Sequence, residues 1–473
     1  MDNCQPLFWF GLFVFLLTTG LIIVPYIRRR ADLLTGWNML LLSVAMFVGL
    51  GCIEASTAEL KQSNLNWFNP SASEVRWLIL TLIVFMAALL GTYYLGLGRS
   101  YASRSFSKWP PQTPALYLSV IAFCLCIQAI SFLTMGQTFF GPLFMKLTHK
   151  ALAFASVFAF MLWYRNRLNL VWFFFFCGVF AFTCVSSIQM GIGRRLLLSM
   201  FVGPVLCIYW IDARKWRPSR SLIAIGVAGM AVFVVGLMYS SIRHFSNIAG
   251  QARSERSTEA IVKQIRGIGN RPWLEMFTRD KLFYISQQNI HYSLLVKRHV
   301  DNGRLETKPL NTIYFWLVYP IPRKIWTEKP VQLCITAAIV IAQTKSTNWG
   351  TGVSGHAAYE GGPLALALYT IIVVIGLRFF DAPLKSQPDN PFLIAMLAAG
   401  SPHIIGWARG DLANMTLEAA EVFLFAVIVN VVFRTLFGTE KSDPRTRANP
   451  MQGAGPVRYP YPNQPFRPRP LGR

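Results

Sequence analysis

The sequence predicts an all-α, polytopic membrane protein with about 11 transmembrane helices and one large helical loop on the outer side of the membrane. Hydrophobic residues make up 53% of the 473-residue chain and charged residues only 14%, whereas soluble domains carry roughly 25% charged residues. Uninterrupted apolar runs of about 18 residues or more recur along the chain, and such runs are typical of spanning helices. The basic residues behind the net charge of +24 lie in short loops between the runs, which indicates topology and contact with membrane lipids rather than nucleic acid.

The apolar runs divide the chain into four regions. Residues 1–240 form a transmembrane bundle of spans 1–8, residues 241–363 form the large outer loop, and residues 364–438 hold spans 9–11. Residues 439–473 are basic, rich in Pro and poor in aliphatic side chains, a composition typical of a disordered tail. The predicted spans are about 7–27, 33–53, 77–97, 115–135, 147–164, 170–190, 196–212, 221–240, 364–380, 392–408 and 415–437.

The orientation follows from the distribution of Lys and Arg among the short loops. Four loops on one side are basic, while the alternate loop 54–75 holds three Glu and a single Lys. Short basic loops face the cytoplasm, so the sequence predicts an N-terminus outside and a cytoplasmic C-terminus. The basic residues of the four loops are Arg28, Arg29, Arg30, Arg99, Arg104, Lys108, Arg165, Arg167, Arg214, Lys215, Arg217 and Arg220.

Two segments of the outer loop have recognisable patterns. Residues 273–300 mix apolar, aromatic and basic side chains at helical spacing, which predicts a helix lying on the interface or on the bundle. Residues 331–342 are apolar but too few to span, so they favour a re-entrant or interfacial segment.

Two arginines break the orientation rule between spans 6 and 7. Arg194 and Arg195 follow Gly191 and Gly193 on the predicted outer face. One interpretation is a pair of arginines that snorkel to lipid head groups. The other is a phosphate or pyrophosphate site, because a guanidinium never deprotonates and donates two parallel hydrogen bonds.

A second exception, Arg409-Gly410-Asp411, lies between spans 10 and 11. Span 10 itself contains Pro402 and His403 after a pair of small residues, and polar or broken helices at membrane depth occur mainly beside protein or a watery cavity. One interpretation is purely structural: a kinked helix packs in the bundle and is followed by a local Arg–Asp pair. The functional interpretation places Arg409 in a site.

The third constellation lies in the outer loop, where a Pro-rich stretch containing Arg323 and Lys329 precedes the Gly-rich stretch 352–362. One interpretation of this constellation is an ordinary Pro-rich loop followed by a glycine turn, with no functional role. A functional site requires His356 and Glu360 to be neighbours, which four-residue spacing on one helix face provides. Either side chain is then suited to accept a proton from a sugar hydroxyl.

At these residues the sequence resembles the oligosaccharide repeat-unit polymerases, the O-antigen polymerase family of bacterial envelope polysaccharide assembly. The resemblance covers roughly residues 75–437. Four features carry it, together with a long outer loop late in the chain. They are Gly193-Arg194-Arg195 opening a span, Pro322-Arg323 followed by Trp326 and Lys329-Pro330, the Gly-rich stretch with Tyr359-Glu360-Gly361, and Arg409 near the last spans.

The resemblance implies a multi-pass protein of the bacterial inner membrane whose large loop is periplasmic. Its substrates would be oligosaccharides on an undecaprenyl pyrophosphate carrier, and the growing glycan would pass from its carrier to a new repeat unit. Neither a metal nor another cofactor is implied. Implied partners are the lipid-linked substrate, membrane lipids, and flippase and chain-length regulator proteins, with no nucleic acid.

The resemblance also implies a role for each unusual residue. Arg194, Arg195, Arg323 and Lys329 would bind the pyrophosphate of the substrate. Arg409 would stabilise charge on the leaving pyrophosphate, usually a large electrostatic contribution, while His356 or Glu360 would deprotonate the acceptor hydroxyl.

Two rival functions remain open from the sequence. An O-antigen ligase uses the same donor and a similar scaffold but transfers the glycan to a lipid A core. A transporter belongs to a different class, and its binding site would lie near the bilayer midplane. The predicted spans contain few ionisable residues, which favours the enzymatic functions over a transporter.

Overall fold

The computed structural model describes residues 4–57, 69–104, 108–134, 140–189, 194–248, 288–321, 323, 325–341, 343 and 349–439. These residues form helices joined by turns and loops, and no strand occurs among them. In chain order the α-helices are α1 (Gln5–Ile27), α2 (Gly36–Val44), α3 (Leu50–Thr57), α4 (Ala72–Tyr94), α5 (Arg99–Arg104), α6 (Pro114–Leu133), α7 (Phe140–Arg165), α8 (Leu170–Gln189), α9 (Arg194–Ile211), α10 (Pro218–Ile248), α11 (Asn289–Asp301), α12 (Asn311–Val318), α13 (Leu333–Val340), α14 (Gly352–Glu360), α15 (Pro363–Ser386), α16 (Pro391–Ile405) and α17 (Leu412–Phe437).

The chain is a polytopic membrane protein. Eight helical segments within the described residues are long and apolar enough to cross a membrane: α1, α2 joined to α3 by a π-helical turn, α4, α6, α7, α8, α15 and α17. Three shorter apolar helices, 197–211, 218–232 and 391–405, coincide with predicted spans 7, 8 and 10. An all-helical bundle satisfies every backbone hydrogen bond within its own segments, as a bilayer requires.

Small residues allow α1 to approach the π-helical turn between α2 and α3. A Cβ atom added to Gly11 would lie 2.7 Å from the carbonyl oxygen of Gly49, so no side chain fits there. Close backbone approach of this kind is the usual way in which helices associate in a membrane.

The centre of the bundle is α16, whose residues are almost all buried. It packs against α2, α7, α9, α15 and α17. Because nearly all of its side chains are apolar, its burial by five neighbours is what its sequence requires. The turn 406–411, which contains Arg409, connects α16 to α17.

Hydrogen bonds identify which helix ends lie together. Tyr164, near the end of α7, donates to Asp212 just after α9 (2.5 Å), and the adjacent Arg165 donates to the carbonyl of Asp389 just before α16 (3.1 Å). The end of α9 and the start of α16 therefore meet at one end of the bundle, and these two helices run antiparallel. The starts of α9 and α17 lie at the other end, together with α14, and we call it the α14 end.

The described part of the large loop is helical and packs on the bundle. α11 contacts α3, α4 and α14 and buries Ile290 and Leu294, which agrees with the predicted helix from residue 289 onward. The earlier part of that prediction, 273–287, lies outside the described residues. The run 331–342 contains α13, a helix of eight residues and thus too short to span. The predicted disordered tail also lies outside the described residues from residue 440 onward.

Candidate functional site

The Gly-rich stretch forms a separate short helix rather than the start of the next span. α14 has nine residues, all of them buried, and ends at Gly361, where φ is +110°. This left-handed conformation favours glycine and stops the helix. α15 begins two residues later at Pro363, so α14 is a separate helix that precedes the span.

The first turn of α14 is docked on the turn that carries Arg409. The N–H groups of Gly352 and Val353 donate to the carbonyl oxygens of Arg409 (3.0 Å) and Ala408 (3.2 Å). The free N–H groups at the start of one helix thus satisfy carbonyls beyond the end of another. A Cβ atom added to Gly350 would lie 3.6 Å from Arg409 Cγ, so the half-buried Arg409 stem passes close to this backbone.

His356 and Glu360 are in direct contact, as their four-residue spacing predicts. Nδ1 of His356 lies 2.6 Å from Oε1 of Glu360 on the same face of α14, and both residues have 0% exposed surface. The amide of Leu412, at the start of α17, donates to Nε2 of His356 over 3.1 Å. Nε2 therefore carries a lone pair in this arrangement, and the ring proton lies on Nδ1, directed at Glu360.

Glu360 accepts hydrogen bonds from three residues. Besides His356, the Thr312 amide (2.6 Å), the Thr312 hydroxyl (2.8 Å) and the Tyr369 hydroxyl (2.6 Å) donate to its carboxylate. Burial raises the pKa of Glu360, but the His356 contact and these donors outweigh burial and hold the pKa below its ordinary value. Glu360 is thus an ionised group that fastens α12 and α15 to α14.

Asp411 joins the same network from the start of α17. Its carboxylate accepts from the amides of Asn414 (3.1 Å) and Cys334 (3.1 Å), and one of its oxygens lies 3.7 Å from Nε2 of His356. Burial lowers the pKa of His356, but the carboxylates of Asp411 and Glu360 outweigh burial and raise the pKa above its ordinary value. A protonated His356 would therefore donate from Nε2 to Asp411 instead of accepting from Leu412.

Arg323 and Lys329 lie on the segment between α12 and α13, and both brace that segment. Arg323 is exposed and donates to the carbonyls of Lys329 and Pro330, each over 3.0 Å. Lys329 is buried and donates to the carbonyls of Tyr319 (2.6 Å) and Ile321 (2.9 Å). Both cations are therefore fixed in position.

The segment with Arg323 and Lys329 does not meet the Arg409 turn directly. α12 runs along α17: the Trp316 indole donates to the carbonyl of Ala413, and the Tyr319 hydroxyl donates to Glu421. Eight residues of α-helix separate these two contacts on α17, which is about 12 Å. The predicted pyrophosphate-binding residues thus fall into separate places along α17.

The backbone of Arg194 and Arg195 starts α9 at the α14 end, while their side chains lie outside the described residues. Gly203 in α9 faces Ala398 in α16, since a Cβ atom added to the glycine would lie 3.7 Å from the alanine Cβ. Arg194 precedes Gly203 by nine residues and Trp407 follows Ala398 by nine. Because α9 and α16 are antiparallel, Arg194 lies at the level of the Arg409 turn.

An apolar cavity of about 280 Å³ opens beside the Arg409 turn, between α15, α16 and α17. Near the turn it is lined by His403, Trp407 and Thr416, and deeper in the bundle by aliphatic and aromatic residues such as Ile372 and Phe380. Its volume and apolar lining suit a short length of hydrocarbon chain.

Sequence reasoning missed a group of charges inside the spans. Lys146 and Lys150 on α7 contact Glu418 and Glu421 on α17. Their helical spacing, four residues between the lysines and three between the glutamates, places each pair on one helix face. Charged residues at this spacing within apolar runs could have revealed the group from the sequence.

The fold and these contacts define the class of the protein as an all-helical, polytopic membrane protein with a buried ionised network at one end. No family model, curated protein or solved structure matches the chain. Within the described residues, no group of three or more His, Cys, Asp or Glu side chains is placed to hold a metal ion.

Proposed function

We propose that the protein polymerises lipid-linked oligosaccharide repeat units at the outer face of a bacterial inner membrane. The observation that carries this proposal is the contact between two of the segments behind the resemblance, the Gly-rich stretch and the Arg409 turn. The stretch 352–362 is docked on the Arg409 turn, and the segment with Arg323 and Lys329 follows the same helix, α17. Arg194 starts α9 at the level of that turn.

The proposed topology has 11 spans, with the N-terminus outside and the C-terminus in the cytoplasm. The eight long and three shorter apolar helices add up to this number. The basic loops after α1, α7 and α9 lie at the end opposite α14, and short basic loops face the cytoplasm. The α14 end is then periplasmic, where lipid-linked repeat units would be polymerised.

In the proposed reaction, an acceptor hydroxyl attacks the anomeric carbon of the donor glycan and the bond to the pyrophosphate breaks. The pyrophosphate leaves with the bonding electrons, and Arg409, with Arg194 and Arg195, stabilises its charge. The first isoprene units of its prenyl chain would occupy the apolar cavity beside the turn. The hydroxyl proton would pass to His356 or Glu360.

The burial of His356 and Glu360 limits how they would act. Neither has exposed surface, so a hydroxyl reaches them only if α14 and the first turn of α17 separate. Without that separation, the pair would act as positioning residues, because α14 fixes the Arg409 turn through two backbone hydrogen bonds. Both roles require an intact His356–Glu360 contact.

A transporter is the second candidate function, favoured by Lys150, Glu418 and Glu421 inside the spans. Ionisable residues at membrane depth often mark ion pathways. An O-antigen ligase remains the nearest enzymatic alternative, because it would use the same donor, cations and apolar cavity.

Deleting the gene in its host distinguishes these functions. Loss of a polymerase should leave surface glycans that are one repeat unit long. Polymer still attached to its lipid carrier would identify a ligase instead. Loss of all surface glycan would favour a transporter.

Cysteine labelling tests the proposed orientation. Single cysteines at the exposed positions Ser71 and Thr307 should react with an impermeant thiol reagent in intact right-side-out vesicles, and those at Ser100 and Ser219 should not. Cys126, an exposed native cysteine, is first replaced by serine. Labelling of Ser100 and Ser219 with protection of the other two would reverse the topology.

A further inference from the structure

A second cavity, of about 190 Å³, lies at the α14 end between α4, α11, the segment 307–309 and the end of α14. Ala358 lines it and is two residues away from both His356 and Glu360. Ala358 therefore faces about 160° away from that pair around the helix axis. The cavity is thus separate from the buried ionised network, and it shares no lining residue with the apolar cavity beside the Arg409 turn.

Hydrogen bonds hold two walls of this cavity in place before a ligand binds. The amides of Lys308 and Leu310 donate to the last two carbonyl oxygens of α14, over 2.9 and 3.1 Å, and so tie the segment 307–309 to that helix. On the facing side, Arg298 of α11 donates to Glu74 of α4 over 2.7 Å. The cavity is therefore preformed, as sites for small molecules usually are.

Two glycines leave the end of α14 free of side chains at the cavity. Gly361 and Gly362 have φ of +110° and +86°, the left-handed region that favours glycine. A Cβ atom added to Gly362 would meet no described atom within 4 Å. Gly361 and Thr307 are exposed, so a ligand can enter between them from outside the protein.

The lining combines one aromatic side chain with few polar groups. The half-buried Trp77 lies beside Val300 and Pro309, and the Lys297 ammonium is 5.2 Å from the centroid of its ring. A sugar ring has apolar C–H groups that pack on an indole, and hydroxyls that need a few placed polar partners. Drug-sized ligands occupy about 300 Å³ or more, whereas this smaller cavity has room for a single sugar ring.

Paired charges around the cavity favour an uncharged sugar. Lys297 donates to Asp301 over 2.5 Å, and Arg298 is paired with Glu74. A ligand carboxylate or phosphate would have to compete with Asp301 for the Lys297 ammonium. A sugar hydroxyl can instead accept from the ammonium and leave the pair with Asp301 intact, because an ammonium has three donors.

We propose that this cavity binds one uncharged sugar residue of a glycan. The assignment of that glycan to the lipid-linked substrate rests on the proposed function. The sugar would lie on α14, the same helix that is docked on the Arg409 turn through two backbone hydrogen bonds. Binding in the cavity would then set the position of the glycan relative to a pyrophosphate at Arg409, and it would select which repeat units are accepted.

Protection of a cysteine from labelling tests this site without requiring catalysis. Thr307→Cys, in the purified full-length protein carrying Cys126→Ser, reacts with a thiol reagent while a sugar is titrated. The probes are methyl glucoside, methyl galactoside, methyl N-acetylglucosaminide and glucuronic acid. At least one of the three uncharged sugars should slow the labelling, and glucuronic acid should not. Ser71→Cys, exposed on the same side but outside the cavity, is the control and should react at an unchanged rate.

Two substitutions in the cavity, each combined with Thr307→Cys, should reduce this protection. Trp77→Leu should raise the sugar concentration needed about threefold to tenfold, the usual contribution of an aromatic contact. Trp9→Leu, which replaces an exposed tryptophan of α1, is the matched control and should have no effect. Ala358→Leu places a larger side chain in the cavity and should abolish protection.

Each outcome decides the proposal. Failure of all three uncharged sugars to protect Thr307→Cys would overturn the site. Equal protection by glucuronic acid would overturn the preference for an uncharged sugar. Protection that persists unchanged in both Trp77→Leu and Ala358→Leu would also overturn the site, because the sugar would then bind elsewhere. Protection of a protein that never extends glycans would refute only the proposed polymerase function.

Discussion

Replacing Arg409 with alanine should reduce polymer formation about 10²–10³-fold, the usual cost of losing one preorganised electrostatic donor. Arg409 lies in a turn whose backbone both α14 and α17 hold in place, so the base of its side chain is positioned before a substrate arrives. The variant is measured by complementing a deletion strain and resolving the surface glycans by length.

Arg409→Lys is the informative control for this prediction. Lysine keeps the charge and most of the aliphatic stem that passes close to Gly350. It lacks the planar guanidinium, which donates two parallel hydrogen bonds to a phosphate. We expect an activity between those of alanine and arginine, at an unchanged protein level. If the Arg409→Ala protein is present at its normal level and still produces full-length polymer, Arg409 has no role in the mechanism.

Replacing Glu360 with glutamine, or His356 with alanine, should abolish polymer while the protein still reaches the membrane. If the pair accepts the hydroxyl proton, its loss costs about 10²–10⁴-fold in rate. Glutamine at position 360 also replaces one acceptor oxygen with an amide donor, opposite the hydroxyl of Thr312 or Tyr369. We expect the free energy of unfolding of the purified protein to fall by about 1.5–3 kcal/mol, because hydrogen bonds to a buried charged group are lost.

Thr312→Val separates a proton acceptor from a positioning role. It removes one donor to Glu360 but leaves Glu360 and His356 chemically intact. A positioning role predicts that this variant loses activity equally at every pH. A proton-accepting role predicts a normal maximal rate and a shift in the pH dependence. Wild-type activity in His356→Ala would eliminate both roles.

The two pKa shifts also predict the pH dependence of stability. The lowered pKa of Glu360 contributes stability above the unfolded value of about 4.3, and this contribution is lost as pH falls through the folded value. The raised pKa of His356 contributes stability below the unfolded value of about 6.5, and it is lost as pH rises through the folded value. The difference in melting temperature between wild type and Glu360→Gln should therefore be largest between these limits.

Local patterns in the sequence were enough to predict the membrane class, most spans and the contact between His356 and Glu360. Each depends on neighbours within a few residues: an apolar run long enough to span, or two side chains four apart on one helix. The bounds of the short helix α14 were not predictable in this way, because they depend on the left-handed conformation of a single glycine, Gly361.

The arrangement of charges between distant helices was not predictable in this way. Lys150 meets Glu421 across 271 residues, and Tyr319 meets Glu421 across 102. Periodicity places each residue on a helix face, but it does not determine which faces pack together. The separation of Lys329 from Arg409 along α17 likewise depends on the path of α12, which no local signal in the sequence specifies.

The most direct test of the polymerase function uses the purified protein alone. In detergent with lipid-linked repeat units, and with neither nucleotide sugar nor an ion gradient, the wild-type protein should produce longer glycans and release undecaprenyl pyrophosphate. Arg409→Ala should produce neither. If the authentic substrate stays unextended by a folded wild-type protein that binds it, the protein is not a polymerase.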